Sequence, residues 1–102
     1  MELHITERLA VLSILPATGS FINLKLLREA REMLSFTDKE YKEFNLVEKD
    51  DTLSWALPEG VSGFADIELG AVVTGMIRIE LERLNTEEML DDRYFTIYEK
   101  FM

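Results

Sequence analysis

The stretch Phe64–Leu84, FADIELGAVVTGMIRIELERL, constrains the fold most, because its apolar spacing changes period partway along. From Phe64 to Leu69 apolar and acidic residues alternate, Ile67 and Leu69 on one side and Asp66 and Glu68 on the other. That period of two predicts a half-buried strand. From Gly70 the apolar positions fall three to four apart (Val73, Ile77, Leu81, Leu84), widened by Val72 and Met76, with Thr74, Arg78 and Glu82 opposite. That spacing predicts an amphipathic helix. Ile77, Ile79 and Leu81 also alternate with charged residues as a strand would, but the length of the run and the lack of a turn signal select the helix. A strand running straight into a helix with a broad apolar face needs apolar partners elsewhere in the chain.

Those partners lie on both sides. Thr6 is the expected N-cap of a first helix, Glu7–Leu15, which Pro16 stops. Ser20 caps a second, Phe21–Leu34, with Leu24, Leu27 and Leu34 on its buried side and Lys25, Arg28 and Arg31 forming the one basic stripe. Glu29 and Glu32 interleave with that stripe, which predicts a solvated, salt-bridged face. The sharpest local signal is Thr37-Asp38-Lys39-Glu40, a capping box in which the Thr37 hydroxyl and the Glu40 carboxylate each accept from the other residue's amide. Phe36 and Tyr41 flank it as a hydrophobic staple, opening a short third helix, Asp38–Phe44. Leu46–Glu48 and Leu53–Leu57 read as a hairpin around Lys49-Asp50-Asp51-Thr52, with Trp55 facing inward. Pro58–Gly63 connects it to the central strand. The last helix, about Thr86–Phe101, carries the stripe Leu90, Tyr94, Ile97, Tyr98 and Phe101.

The expected fold is one α+β domain over residues 1–102, with about five helices and a small antiparallel sheet of two or three strands. The order helix–helix–helix–hairpin also suits a winged helix. The expected core comprises Leu12, Leu15, Leu27, Leu34, Trp55, Ile67, Val73, Ile77, Leu84, Leu90 and Tyr98. A chain of 102 residues buries roughly 60–70% of its unfolded surface, enough for a core without covalent staples.

Charge and composition exclude several function classes. The net charge is −9, and it is uneven: residues 1–45 hold seven acids against six bases, residues 46–102 thirteen against five. Such a balance opposes nucleic acid and anionic membranes; it suits a solvated acidic surface that aids solubility, or a patch complementary to a basic partner. No apolar run reaches the ~20 residues a bilayer span needs, and the opening Met-Glu-Leu-His lacks the basic region of a secretory leader. A cytoplasmic protein is expected. With no cysteine and a single histidine near the N-terminus, His4, a Cys–His pair and thiolate metal sites are excluded, and nothing marks an ordinary Ser–His triad. Gly60, Gly63, Gly70 and Gly75 match no phosphate-cradling spacing. Glu87, Glu88, Asp91 and Asp92 gather at the start of the last helix, where the helix dipole accounts for them and a calcium loop's geometry is missing. No catalytic residue, metal site or cofactor is therefore assigned.

The run ERLAVLSILPATGSFINLKLLREAREMLSFTDKEYKEF, the later IELG and the closing YEKF resemble a group of small uncharacterised phage and prophage proteins of Gram-positive bacteria. The resemblance covers nearly the whole chain, and its motifs are structural, so no site residue follows from it. It implies a small intracellular accessory protein acting on a host or phage macromolecule. The function expected is a non-enzymatic, acidic protein-binding module, a regulator or inhibitor. Its candidate binding residues are Asp50, Asp51, Glu59, Glu87, Glu88, Asp91, Asp92, Phe95 and Phe101. The partner is another protein or, through Phe95 and Phe101 of the last helix, a second copy in a homodimer. Two alternatives remain. In a winged-helix regulator, Lys25, Arg28, Arg31, Lys39 and Lys42 would meet DNA; in a nucleic-acid mimic, the carboxylates would stand in for phosphates.

Overall fold

His4 joins a strand to a helix with no residue between them. It ends strand β1 (Glu2–His4) and its backbone is extended, while its imidazole Nδ1 accepts from the Thr6 amide at 3.4 Å to cap helix α1 (Ile5–Ile14). The Glu7 carboxylate returns to the His4 amide at 2.9 Å, closing a capping box. The expected cap, Thr6, thus lies inside the helix. Histidine at an N-cap is outside the usual Ser, Thr, Asp and Asn set, which is why the sequence pointed two residues downstream. The computed structural model describes all residues, 1–102.

The architecture is α+β. Helix α2 spans Phe21–Leu34 from the Ser20 cap, and the six-residue α3, Asp38–Glu43, starts at the Thr37–Glu40 capping box. Strands β2 (Val47–Lys49) and β3 (Thr52–Ser54) form a hairpin whose two turn residues, Asp50 and Asp51, have φ of 51° and 62°. Both central residues left-handed is the turn that matches strand twist in a two-residue hairpin. Strand β4 (Phe64–Asp66) precedes α4 (Gly70–Thr86), and α5 (Asp92–Phe101) closes the fold.

The strands do not form one sheet. β1 pairs antiparallel with β4, Leu3 opposite Ala65, and β2 pairs only with β3. The expected single sheet of two or three strands is corrected to two separate ladders. Against the about five helices expected, the helical complement is four helices of ten residues or more and the short α3. No helix is long and apolar enough to cross a membrane.

Helix α4 settles the ambiguity of its sequence. Ile77 and Leu81 are fully buried and Ile79 is 72% exposed, a helical phase. With Val73 and Leu84, this face packs against α1, α2 and α5 in the main core, which Leu3, Leu27, Leu34, Ile67, Ile97 and Phe101 complete. Burying one such Leu or Ile side chain contributes about 1.5–3 kcal/mol. A smaller cluster centres on Ile5, Phe44 and Leu46 beneath the hairpin. Trp55 lies there, half-buried and past the end of β3. It belongs to this satellite, not to an inward strand face. Leu12, Leu90 and Tyr98, expected in the core, pack at its margin.

Polar groups fasten these layers. The fully buried Arg8 donates from Nε to the Leu34 carbonyl at 3.0 Å, from one terminal nitrogen to the Ser35 carbonyl at 2.7 Å, and to the Glu40 carboxylate at 2.6 Å. Its guanidinium stacks on Phe36 at 4.1 Å. One side chain thereby ties α1 to the end of α2 and the start of α3. Lys100 does the equivalent for α5, donating to the Glu7 carboxylate at 2.7 Å and the Glu2 carbonyl at 2.8 Å.

Candidate functional site

A candidate surface that joins apolar and acidic side chains is built where α4 gives way to α5. Helix α4 ends in a Schellman motif: the Glu88 amide donates to the Asn85 carbonyl at 3.1 Å and the Met89 amide to the Leu84 carbonyl at 2.8 Å, with Glu88 left-handed at φ 58°. The chain turns through Leu90, and Asp91 caps α5 by accepting from the Arg93 amide at 2.9 Å. Helix α5 therefore starts at Asp92, not near Thr86. Glu87 and Glu88 are not on its first turns as expected: Glu87 is the C-cap of α4 and Glu88 sits in the turn.

On α5, Tyr94, Ile97 and Phe101 point inward. Phe101 is 1% exposed and Phe95 is 65% exposed. The expectation that both aromatics are left for an interface is thus corrected for Phe101. Spacing alone could not separate them, since its side of the helix is fixed only by where α1 and α4 pack. Phe95 stands with Leu90 and Tyr98 in an open groove of about 270 Å³, whose rim is Asp91, Asp92 and Glu99.

The acids around this groove are not equivalent. The Arg93 side chain donates to both oxygens of Asp91, at 3.1 and 2.7 Å, and holds the Asp91 carboxyl below its usual range. Glu87 is paired with Arg83, which also binds Glu80 at 2.9 Å. Asp92 and Glu99 take part in no salt bridge and remain free negative charges. Leu90, Tyr98 and Glu99 were missed as site residues. Glu99 is recoverable in retrospect, because it lies four residues beyond Phe95 on the same helical face.

The other predicted binding residues lie elsewhere. Asp50 and Asp51 form the hairpin tip, an open and almost wholly polar depression with Glu48, Lys49 and Thr52. Glu59 lies in the turn before β4. The structure joins Asp91, Asp92 and Phe95 and leaves these three residues on other elements.

His4 is committed to structure. Its Nδ1 caps α1, and its ring meets Phe64 edge-on at 5.0 Å. No group of three or more His, Asp or Glu side chains is gathered to hold a metal ion. A cleft between α1 and α5, lined by Thr6, Leu9, Ala10, Ser13, Asp92, Arg93 and Thr96, contains hydroxyls. The Ser13 hydroxyl meets only the Ala10 carbonyl at 2.6 Å and the Tyr94 hydroxyl at 3.3 Å, so no base activates it.

Compared with protein families, curated proteins and solved structures, the chain finds no match in any of the three.

Proposed function

We propose that the protein is a non-enzymatic binding module that docks a partner protein on the α5 groove, as a cytoplasmic regulator or inhibitor of the kind its resemblance to phage proteins implies. The observation that carries this reading is Phe95, a large aromatic 65% exposed between Leu90 and Tyr98 and bordered by unpaired Asp92 and Glu99. Exposed aromatics with apolar neighbours serve as anchors at the centres of interfaces, and rim charges select the partner. The chemistry fits a basic segment bearing an apolar side chain.

The winged-helix alternative has the order α1, α2, α3 and hairpin in its favour and its charges against it. Helix α3 sets Asp38, Glu40 and Glu43 against Lys39 and Lys42, and the hairpin tip is acidic. Phosphate contacts supply most non-specific DNA affinity. The mimic reading needs carboxylates in a continuous array, and these are divided among three elements.

The test is capture from host lysate by the wild type and by Phe95→Glu, with Asp50→Asn, Asp51→Asn as a surface control. A protein retained by the wild type and the control and released by Phe95→Glu supports the groove. Equal capture by all three overturns it.

A further inference from the structure

We infer that the chain associates with copies of itself head to tail, the outward face of α2 on one copy seating in the α5 groove of the next. The inference rests on that groove being a docking surface and names a second copy as an occupant.

The outward face of α2 is the complement of the groove. Leu27, Ala30 and Leu34 are its buried side, so Phe21, Leu24, Lys25 and Arg28, at helical spacing, point away from the core. Phe21 is 83% and Leu24 39% exposed. These four residues line a shallow apolar depression of about 230 Å³. Lys25 and Arg28 form no salt bridge, although Glu29 and Glu32 are close in sequence. One surface therefore offers a phenylalanine, a leucine and two cations in the depression itself, with the equally unpaired Glu29 and Glu32 further along the helix. The other offers a phenylalanine, a leucine and two free carboxylates, Asp92 and Glu99. The α5 groove calls for a basic segment with apolar anchors, and α2 is the segment of this chain that presents one.

Placement decides the geometry. Helices α2 and α5 each pack on both α1 and α4, which also touch one another. They therefore flank that pair. The two patches are different, so the contact is head to tail; a two-fold dimer would need one rotation to bring both α2–α5 pairs together at once. A head-to-tail contact of this kind repeats, into a ring where the rotation closes and a filament where it does not. The patches are small and the copies carry like net charge, so each link is weak, in the range of about a hundred micromolar.

Sedimentation velocity from about 10 to 500 μM, a range bracketing such a weak link, tests the proposal with Phe21→Glu, Phe95→Glu and their equimolar mixture. Both substitutions are on exposed side chains, and circular dichroism verifies that the variants remain folded. The wild type is expected to sediment faster with concentration and not to level off at a dimer. Each variant alone should lose association by roughly tenfold or more, the effect of removing an interface anchor. The mixture should form a 1:1 dimer and stop there, since Phe21→Glu keeps its groove and Phe95→Glu keeps its α2 face. A wild type that stays monomeric, a closed dimer indifferent to Phe21→Glu, or a mixture that stays monomeric overturns the proposal. If the wild type is monomeric while Phe95→Glu still releases its lysate protein, only self-association fails. If that release also fails, the groove itself is no docking surface.

Discussion

Arg8→Met should be among the most destabilising substitutions in this chain, although it replaces a charged side chain with an apolar one inside a core. The Arg8 side chain is 1% exposed and that of Glu40 17%. The substitution deprives the Leu34 and Ser35 carbonyls and the Glu40 carboxylate of their donor. Removing one partner of a buried, hydrogen-bonded pair costs about 3–5 kcal/mol, because the other charge stays behind unpaired. Solvent can reach Glu40, and methionine recovers some apolar burial, which puts the expected loss near 3 kcal/mol. For a domain of this size each kcal/mol lowers the Tm by roughly 4–8 °C. Glu40→Gln should cost about 2 kcal/mol, since its one oxygen can still accept from Thr37 and from one Arg8 nitrogen, while its NH2 faces the other and Arg8 keeps its carbonyl partners but loses its counter-ion. Urea titration followed by Trp55 fluorescence and far-UV circular dichroism measures both variants and the double one. Coupling of about 1–2 kcal/mol is expected between the two sites. A loss below about 1 kcal/mol for Arg8→Met would refute the clamp, and strict additivity would place its energy in packing on Phe36.

Gly63 has φ +77°, and a Cβ there would stand 2.9 Å from His4 Nε2 and 3.0 Å from Leu57 Cδ1. Gly63→Ala should therefore cost at least about 1–2 kcal/mol in a urea titration, the left-handed penalty alone. Glu88 occupies the left-handed C′ position of the α4 Schellman motif, so Glu88→Gly should raise the Tm by a few degrees in calorimetry, and a lower Tm would contradict that assignment. For pH, burial would raise the Glu7 carboxyl, but the His4 amide and Lys100 outweigh it and hold it below its usual range. Burial likewise opposes, and Arg8 and the Thr37 amide prevail, at Glu40. Because both folded values are depressed, the unfolded chain takes up these protons first. The stability is present above about pH 4.3, the ordinary glutamate value, and is lost as pH falls through the folded values. Glu7→Gln with Glu40→Gln should flatten that loss in urea titrations between pH 6 and 3, and an equally steep loss in the double variant would exclude these two groups as its source.

Helices were legible wherever spacing or a cap signalled them. The α2 boundaries and the α3 capping box follow from Ser20 and from Thr37 with Glu40. The burial of Val73, Ile77 and Leu84 follows from their phase on α4. Strand β1 was illegible, because Glu2–His4 is too short to show a period and its partner Phe64–Asp66 lies some sixty residues away. The start of α5 was missed because Leu84, Leu90 and Tyr94 can be threaded on one stripe. The break comes from Glu88 in a backbone region that glutamate seldom adopts. Burial of Arg8 and Glu7 was beyond any hydropathy pattern. Each is buried by partners in distant segments, the α2–α3 junction for Arg8 and Lys100 for Glu7.

The same distribution of partners explains why formal charge was only half a guide to the site. In the acidic part of the chain, Arg78 donates to the Phe101 carbonyl, Arg83 serves Glu80 and Glu87, Arg93 serves Asp91, and Lys100 serves Glu7. Of its five bases only Lys49 is left without such a role. In the basic part, Arg8 and Arg31 are spent on backbone carbonyls, at Leu34 and Ser35 and at Pro16, while Lys25, Arg28, Lys39 and Lys42 hold no salt bridge. On α2 and α3 the unpaired Lys25, Arg28, Lys39 and Lys42 stand beside the equally unpaired Glu29, Glu32, Asp38 and Glu43, a balance that α5 lacks. A partner meeting α5 encounters Asp92 and Glu99 with no local cation except Arg93, which Asp91 already occupies. At 0.15 M salt charges beyond about 8 Å are screened, so what a docking segment senses is this local balance beside Phe95, not the net charge of the chain. Binding at the groove should accordingly respond to Asp92→Asn and Glu99→Gln and remain indifferent to neutralising Asp50 and Asp51.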